Sequence, residues 1–411
     1  MSGNKELLPV SDAQRRIIDA LSPVPAEQIS LSQGLGRVLA KNLVSRRSQP
    51  PMAVSAMDGY AVRVEDVATP PSELKVIGYA PAGQAYSGVV GPGEAVRIFT
   101  GAPVPEGADT IVIQENTEQS GETVRVIDGD ASVGNFVRPA SLDFATGDTL
   151  LKAGKTLTAR DIGLAAAMNV PWLMVHRKPR ISILATGDEI AMPGDPLGRD
   201  QIVSSNALSL AAFISAHGGD PLDLGIAPDE EDSLRALASG AVGSDILVTT
   251  GGASVGDHDL VQSVLGDLGL EVDFWRIAMR PGKPLMFGRI GNTYLIGLPG
   301  NPVSALVCAI IFLSPALKTL MGLDDVLPRL ASAQLGTDLE ENDEREDYLR
   351  ASLQKNRDGN LIATPFNRQD SSMFATFARS DALIVRAPFA PAAKAGDSID
   401  IIPLEGSIFS I

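Results

Sequence analysis

The 411-residue chain is short of the residues that build several common kinds of site. It has one cysteine, Cys308, so an intramolecular disulfide is excluded and a reducing, cytoplasmic setting is expected. That cysteine lies in the apolar run LVCAIIFL (306–313), where a thiol reads as a core residue and not as a nucleophile. The three histidines, His176, His217 and His258, are far apart and lack H-x-x-x-H spacing, so zinc is not expected and any metal would be held by oxygen. The apolar run stops at Ser314-Pro315, well short of the ~20 residues needed to cross a bilayer. The opening MSGNKELLPV has no apolar stretch of the kind that directs secretion.

Positive charge is scarce as well. Thirty-four basic residues face 50 acidic ones, a formal charge of −16, and no Lys/Arg-rich run breaks the balance. Nucleic acid and anionic membranes are therefore unsuitable partners. A small anion can still be held by helix N-termini and a few placed cations. Nucleotide and hydrolase signatures are missing too: no G-x-G-x-x-G follows a strand and no nucleophile elbow occurs. Gly154-Lys155-Thr156 is not a P-loop, because Thr149 stands where that loop requires glycine.

What is present is a globular composition, 44% hydrophobic, at a length that predicts two to four domains of roughly 100–200 residues. Up to about Gln49, helix-like segments are broken by Pro23, Pro25 and Gly34. From Tyr60 to about Val137 short apolar runs alternate with Gly and Pro clusters, the pattern of an inserted β-rich module. Residues 159–168 predict a small-residue helix. Then the rhythm becomes βαβ: strands over 181–184, 222–226, 245–248 and 294–298 alternate with helices over 206–217, 229–238 and 259–268. A long helix starts at Pro302, with Ser205 and Asn301 as expected N-caps. This predicts a mainly parallel sheet in a three-layer α/β domain. The tail from about Arg329 reads as a small β-barrel or sandwich.

In an open parallel sheet, ligands bind beyond the carboxyl ends of the strands. Three polar loops fall there: TGDE (186–189), TTGGASVGDHD (249–259) and PGNP (299–302). Gly251, Gly252 and Gly256 would let backbone N–H groups approach phosphate oxygens. Asp188, Glu189, Asp257 and Asp259 would ring the same crevice, and carboxylates beside phosphates call for a hard cation such as Mg²⁺. The competing reading is that Asp257 or Asp259 caps a helix and Asp188 stabilises a turn. Asp229 reads first as a cap or helix-dipole residue, and Arg280 with Lys283 as an anion clamp or a solvated turn.

SAMDGYAVR (55–63), FTGAPVPEGADTIVIQENTE (99–118), ATGDEI (185–190), TTGGASVGDHD, MRPGKP (279–284) and GLPGNPVSA (297–305) follow one another in an order that closely resembles the MoeA family of molybdopterin molybdenumtransferases, also seen as the E domain of gephyrin. The resemblance covers essentially the whole chain. It implies a multidomain α/β and β protein: a discontinuous dimerisation domain (1–50 and 140–178), a β-rich insert (51–139), a three-layer MogA-like molybdopterin-binding domain (179–326) and a C-terminal β-barrel (327–411). It also implies a cytoplasmic homodimer that takes adenylylated molybdopterin and molybdate to molybdenum cofactor and AMP with Mg²⁺. Transient contact with a MogA-like adenylyltransferase and with molybdoenzyme chaperones follows from that role. The alternatives are MogA-like adenylylation itself and a non-catalytic, gephyrin-like scaffold.

Carried over residue by residue, Asp58, Thr100, Arg138, Asp143 and Glu189 are the implied catalytic set. Gly251, Gly252, Ser254, Asp229, Asp259, Arg280, Lys283, Pro299, Gly300, Asn301 and Ser371 bind substrate, and Asp188, Glu189 and Asp259 hold the metal. Departures from the family pattern are Ser141, where glycine is usual, His258-Asp259-Leu260 in place of an aromatic-Asp-Tyr, and Asp370-Ser371-Ser372 in place of Gly-Ser-His.

Overall fold

A computed structural model describes residues 7–129, 132–251 and 260–404. Helix α1 (Val10–Ala20) buries Val10, Ala13 and Ile17. Past Pro23 and Pro25 the chain forms a strand, Ala26–Ser30, where further helix was expected. It pairs antiparallel with Trp172–His176, so the two ends of the split unit meet in one sheet. The predicted helix at 159–168 is Ala159–Ala167. Thr158 and Asp161 cap it reciprocally, through Asp161 N–H to Thr158 Oγ1 at 3.4 Å and Thr158 N–H to Asp161 Oδ2 at 2.9 Å. Its inner face packs with Leu39, Leu157 and Leu173. Helix α1 instead shares the core of the α/β domain, against Ile181, Ile214 and Leu317.

The insert is β-rich as expected. Its strands are β1 (Gly59–Val62), β2 (Ser72–Ala80), β3 (Glu94–Ile98), β4 (Thr110–Ile113), β5 (Thr117–Ser120) and β6 (Thr123–Val126), in the order β4-β1-β3-β2-β6-β5. Alternation along β1 and β3 sends Tyr60, Val62 and Ala95 to one core and Ala61, Val96 and Ile98 to another, so both faces are packed.

The α/β domain runs β7 (Arg180–Thr186), α2 (Asn206–Ala216), β8 (Asp220–Ala227), α3 (Glu231–Ser239), β9 (Ile246–Thr250), α4 (Leu260–Asp267), β10 (Leu270–Trp275), β11 (Met286–Ile290), β12 (Thr293–Leu298) and α5 (Pro302–Leu320). Sheet order is β8-β7-β9-β12-β11-β10; the first four strands are parallel and the β10–β11–β12 edge is antiparallel. Strands β7 and β9 are buried almost throughout because helices cover both faces. Ile183, Val248 and Ile296 face one layer, while Leu184, Leu247 and Leu295 face the other.

Two expectations need correction here. The apolar run was expected to end at Ser314-Pro315, too short to cross a bilayer, but helix α5 continues through them to Leu320. A π-helical turn, Ala309–Leu313, shifts the ladder just ahead of Pro315, which then sits in the first turn of the next helical segment and owes no hydrogen bond. The resulting helix is long and apolar enough to cross a membrane, but 78% of its apolar 18-residue stretch is buried inside the fold. Helix α3 begins at Glu231, two residues after Asp229.

At the C-terminal end the open choice resolves to a closed barrel of β13 (Ala331–Leu335), β14 (Glu346–Lys355), β15 (Leu361–Pro365), β16 (Ala382–Arg386) and β17 (Ser398–Pro403). The order is β14-β15-β13-β17-β16, and β16 returns to pair with β14. The two-residue strand Met279–Arg280 adds to β14 and joins the α/β domain to the barrel.

Candidate active site at the strand tips

The connections leaving β7 run to β8 on one side, and the chain returns to β9 on the other. The tips of β7 and β9 therefore form the topological switch point. A cavity of about 620 Å³ opens there, lined by Thr186, Glu189, Asn206, Gly251, Gly300 and Asn301 among others. Thr186 and Glu189, Thr250 and Gly251, and Pro299 to Pro302 converge on it.

Close approach builds the floor. Gly251 has φ +94°, and a Cβ there would stand 2.4 Å from the Thr186 carbonyl oxygen. Gly187 has φ +132°, and the Glu189 carboxylate occupies the space its side chain would fill. Asn206, on the first turn of α2, donates from Nδ2 to Thr250 Oγ1 at 2.8 Å and to the Gly300 carbonyl at 2.7 Å, tying three strand-tip loops together. Thr186 Oγ1 and Asn206 Oδ1 are buried without a hydrogen-bond partner. The sequence placed Thr186 and Thr250 on crevice loops without giving either a role, and Asn206 was missed. The available signal was hydroxyls closing otherwise apolar buried strands.

The expected caps are absent. Neither Ser205 nor Asn301 makes a side-chain cap bond. Asn301 Nδ2 instead donates to Ser371 Oγ at 2.9 Å, and the Ser371 carbonyl accepts the Val303 N–H at 3.2 Å, so a barrel loop caps α5. Fully buried Arg350 donates to the Asp370 carbonyl at 2.8 Å and holds that loop. Ser372 then lines the cavity. Its N–H and hydroxyl both bond Asp370 Oδ1, which holds that carboxyl below its usual range.

Asp188 Oδ1 accepts the Asp229 N–H at 3.0 Å, so the Asp188 carboxylate fixes the turn ahead of α3; neither acid is among the residues that line the cavity. The Arg280 guanidinium, expected as half of an anion clamp, is engaged elsewhere. It donates to Asp347, to Asp343 at 3.1 Å and to Asn342 at 3.3 Å, locking the strand Met279–Arg280 to the barrel. Arg345 and Arg280 pull Asp343 down to about 2, while burial pushes Asp347 up. Lys283 is exposed and forms no ion pair among the described residues; its neighbour Pro284, and not Lys283 itself, lines the cavity. Gly282 lies against buried Cys308, whose thiol is pushed up by desolvation.

Asp58, Thr100, Arg138 and Asp143 are not brought into this crevice. Arg138 and Asp143 line a separate cleft of about 700 Å³ with Arg47 and with Gly101, the neighbour of Thr100. Asp58 Oδ1 accepts both the Thr100 N–H and its hydroxyl, each at 2.8 Å, and these bonds hold the carboxyl below its usual range. Gly252, Ser254, Asp257, His258 and Asp259 lie outside the described residues.

The fold and crevice together define a multidomain protein built around a MogA-like α/β domain, with β-rich modules on either side of it in the chain. Residues 8–169 match the MoeA N-terminal region (domain I and II), 182–319 a probable molybdopterin binding domain and 332–404 the MoeA C-terminal region (domain IV). A molybdopterin molybdenumtransferase of Haemophilus influenzae is 31% identical over 97% of this chain and 98% of its own length. One from Nostoc sp. is 38% identical over 80% of this chain and 77% of its own. A crystal structure of a molybdopterin biosynthesis MoeA protein from Pyrococcus horikosii superposes with a TM-score of 0.85 at 29% identity, covering 98% of this chain and 100% of that one. The chain belongs to the MoeA family.

Proposed function

We propose that this chain is a molybdopterin molybdenumtransferase that inserts molybdate into adenylylated molybdopterin with release of AMP, working with Mg²⁺ as a cytoplasmic homodimer. The observation carrying this reading is the crevice itself: glycine turns and a helix start converge on a switch point where buried oxygens lack partners. Backbone N–H groups and the positive end of α5 suit phosphate oxygens, and exposed Lys283 adds a positive charge next to Pro284 of the lining. The Asn206 amide keeps the Thr250 and Gly300 turns in place, so little reordering accompanies binding.

The donor set fits Mg²⁺. Glu189, Thr186 Oγ1 and Asn206 Oδ1 are all hard oxygen donors, with Asp188 on the same loop as Thr186 and Glu189. Among the described residues no three His, Cys, Asp or Glu side chains cluster closely enough to cage a metal, so substrate phosphates and water would complete the shell. When bound, the ion would supply Lewis-acid polarisation of phosphoryl oxygens. The chain's own groups hold the anion, exclude bulk water and keep Asp58 ionised through Thr100.

A homodimer would account for the remaining assignment. Asp58, Thr100, Arg138 and Asp143 lie apart from the crevice of their own chain, so a second subunit presenting its crevice to them would complete the site. Delivery of the adenylylated substrate and removal of the product fit transient contacts with a MogA-like adenylyltransferase and with molybdoenzyme chaperones.

The test mixes purified protein with adenylylated molybdopterin, Mg²⁺ and graded molybdate, and AMP is followed chromatographically. Molybdate-dependent AMP release that falls in Glu189→Ala and Asp58→Ala is the expected result. Release at one slow rate with or without molybdate, unchanged in both variants, rejects the transferase reading.

A further inference from the structure

Three strands of the insert carry a row of rings and a cation. In the sheet register Tyr60 and Tyr79 both stand opposite Arg97, on β1 and β2 either side of β3, and Phe99 follows two residues on. The Arg97 Cζ lies 5.0 Å from the ring centroids of both Tyr60 and Phe99. Its guanidinium is fixed by donation to the Gly59 carbonyl at 3.2 Å and to Gln114 Oε1. The Tyr79 ring meets Phe99 at 5.0 Å, tilted by 55°. The row runs from core to solvent: Tyr60 is 2% exposed and Tyr79 is 58% exposed. The sheet does not need Tyr79 for its core, which Val62, Leu74, Ala95 and Val124 already fill.

The row borders Asp58. Gly59, which takes the Arg97 hydrogen bond, follows Asp58 in the chain, and Thr100, which bonds Asp58 Oδ1, follows Phe99. Asp58 Oδ2 accepts no hydrogen bond among the described residues. An exposed aromatic face beside a fixed guanidinium and a spare carboxylate oxygen suits a flat nitrogen heterocycle whose edge donates hydrogen bonds.

We propose that Tyr79 and Phe99, backed by Arg97, are a stacking platform for the pterin ring of the substrate, with Asp58 Oδ2 facing the ring's N–H edge. This deepens the transferase reading and rests on it. A 2-amino-4-oxopyrimidine places a ring N–H beside an amino group, two donors for one carboxylate. Adenine sets its amino group beside an acceptor nitrogen, which a carboxylate repels.

The experiment is a fluorescence titration of pterin itself into the full-length protein, with AMP as competitor. Tyr79→Ala, Tyr79→Trp and the double variant Tyr79→Ala/Phe99→Ala are compared, with thermal melts to verify folding. Quenching on binding, weakened at least about tenfold in Tyr79→Ala, retained in Tyr79→Trp and indifferent to AMP, is expected. In turnover, Tyr79→Ala should raise KM for adenylylated molybdopterin more than it lowers kcat. Equal pterin affinity in the wild type and the folded double variant, or displacement of pterin by AMP, overturns the platform. Loss of molybdate-dependent turnover in the wild type would reject the transferase reading instead, and the titration separates the two failures.

Discussion

Asn301 and Ser371, seventy positions apart, share a 2.9 Å hydrogen bond that fastens the start of α5 to a loop of the barrel domain. One wall of the crevice is thereby set by interdomain contact. Ser371→Ala removes the acceptor hydroxyl and leaves the backbone cap to Val303 in place. A loss of about 1 kcal/mol is expected in urea unfolding, with a larger proportional rise in KM for substrate, read by AMP release.

Glu189 is exposed, and its side chain makes no hydrogen bond among the described residues, so the fold does not depend on its charge. Glu189→Gln should lower molybdate-dependent AMP release at least about tenfold while leaving the melting temperature within a degree or two. An equal loss of activity and of stability would place the residue in the framework instead of the chemistry.

Gly251 and Gly300 make a controlled pair. Alanine at Gly251 forces a Cβ to 2.4 Å from the Thr186 carbonyl at φ +94°, whereas at Gly300 the nearest atom to a Cβ is 3.6 Å away. Gly251→Ala is expected to cost about 1–3 kcal/mol and most of the activity, and Gly300→Ala to leave stability nearly intact. Chemical denaturation of the two variants side by side decides it.

Acid should loosen the joint between Met279–Arg280 and the barrel. Asp343 is held at about 2 by Arg345 and Arg280, below an unfolded value near ~3.9, so its ionised form favours the folded state. That stabilisation is complete above pH ~4 and is lost as pH falls toward about 2. Asp347, raised by burial, has the opposite sign, because its protonated form is favoured in the fold. Asp343→Asn should flatten the acid limb of stability over that window, measured by denaturation at graded pH.

Much of this architecture was legible because short-range rules set it. The runs at 181–184, 245–248 and 294–298 became strands, and 206–217 became helix α2, on periodicity alone. The βαβ rhythm placed three loops at one sheet edge, and they line one cavity. The antiparallel β10–β11 edge was missed, since an isolated apolar run does not state its direction. Pro23 and Pro25 suggested broken helix, but Ala26–Ser30 found a strand partner beyond 170. Ser205 and Asn301 had the chemistry of caps but neither side chain caps its helix, and at α5 the Ser371 carbonyl takes that role.

By itself the sequence determined element types, their order and the family, because hydrophobic period, glycine turns and ordered motifs are local properties of the chain. Only the tertiary structure decided how polar side chains are spent: Arg280 on the barrel's acids, Asn301 on Ser371, Asp188 on Asp229, Asn206 on two loops. Hydrogen-bonding groups are committed to whichever partner folding brings within about 3 Å. That distance depends on the packing of domains far apart in sequence, which no local pattern contains.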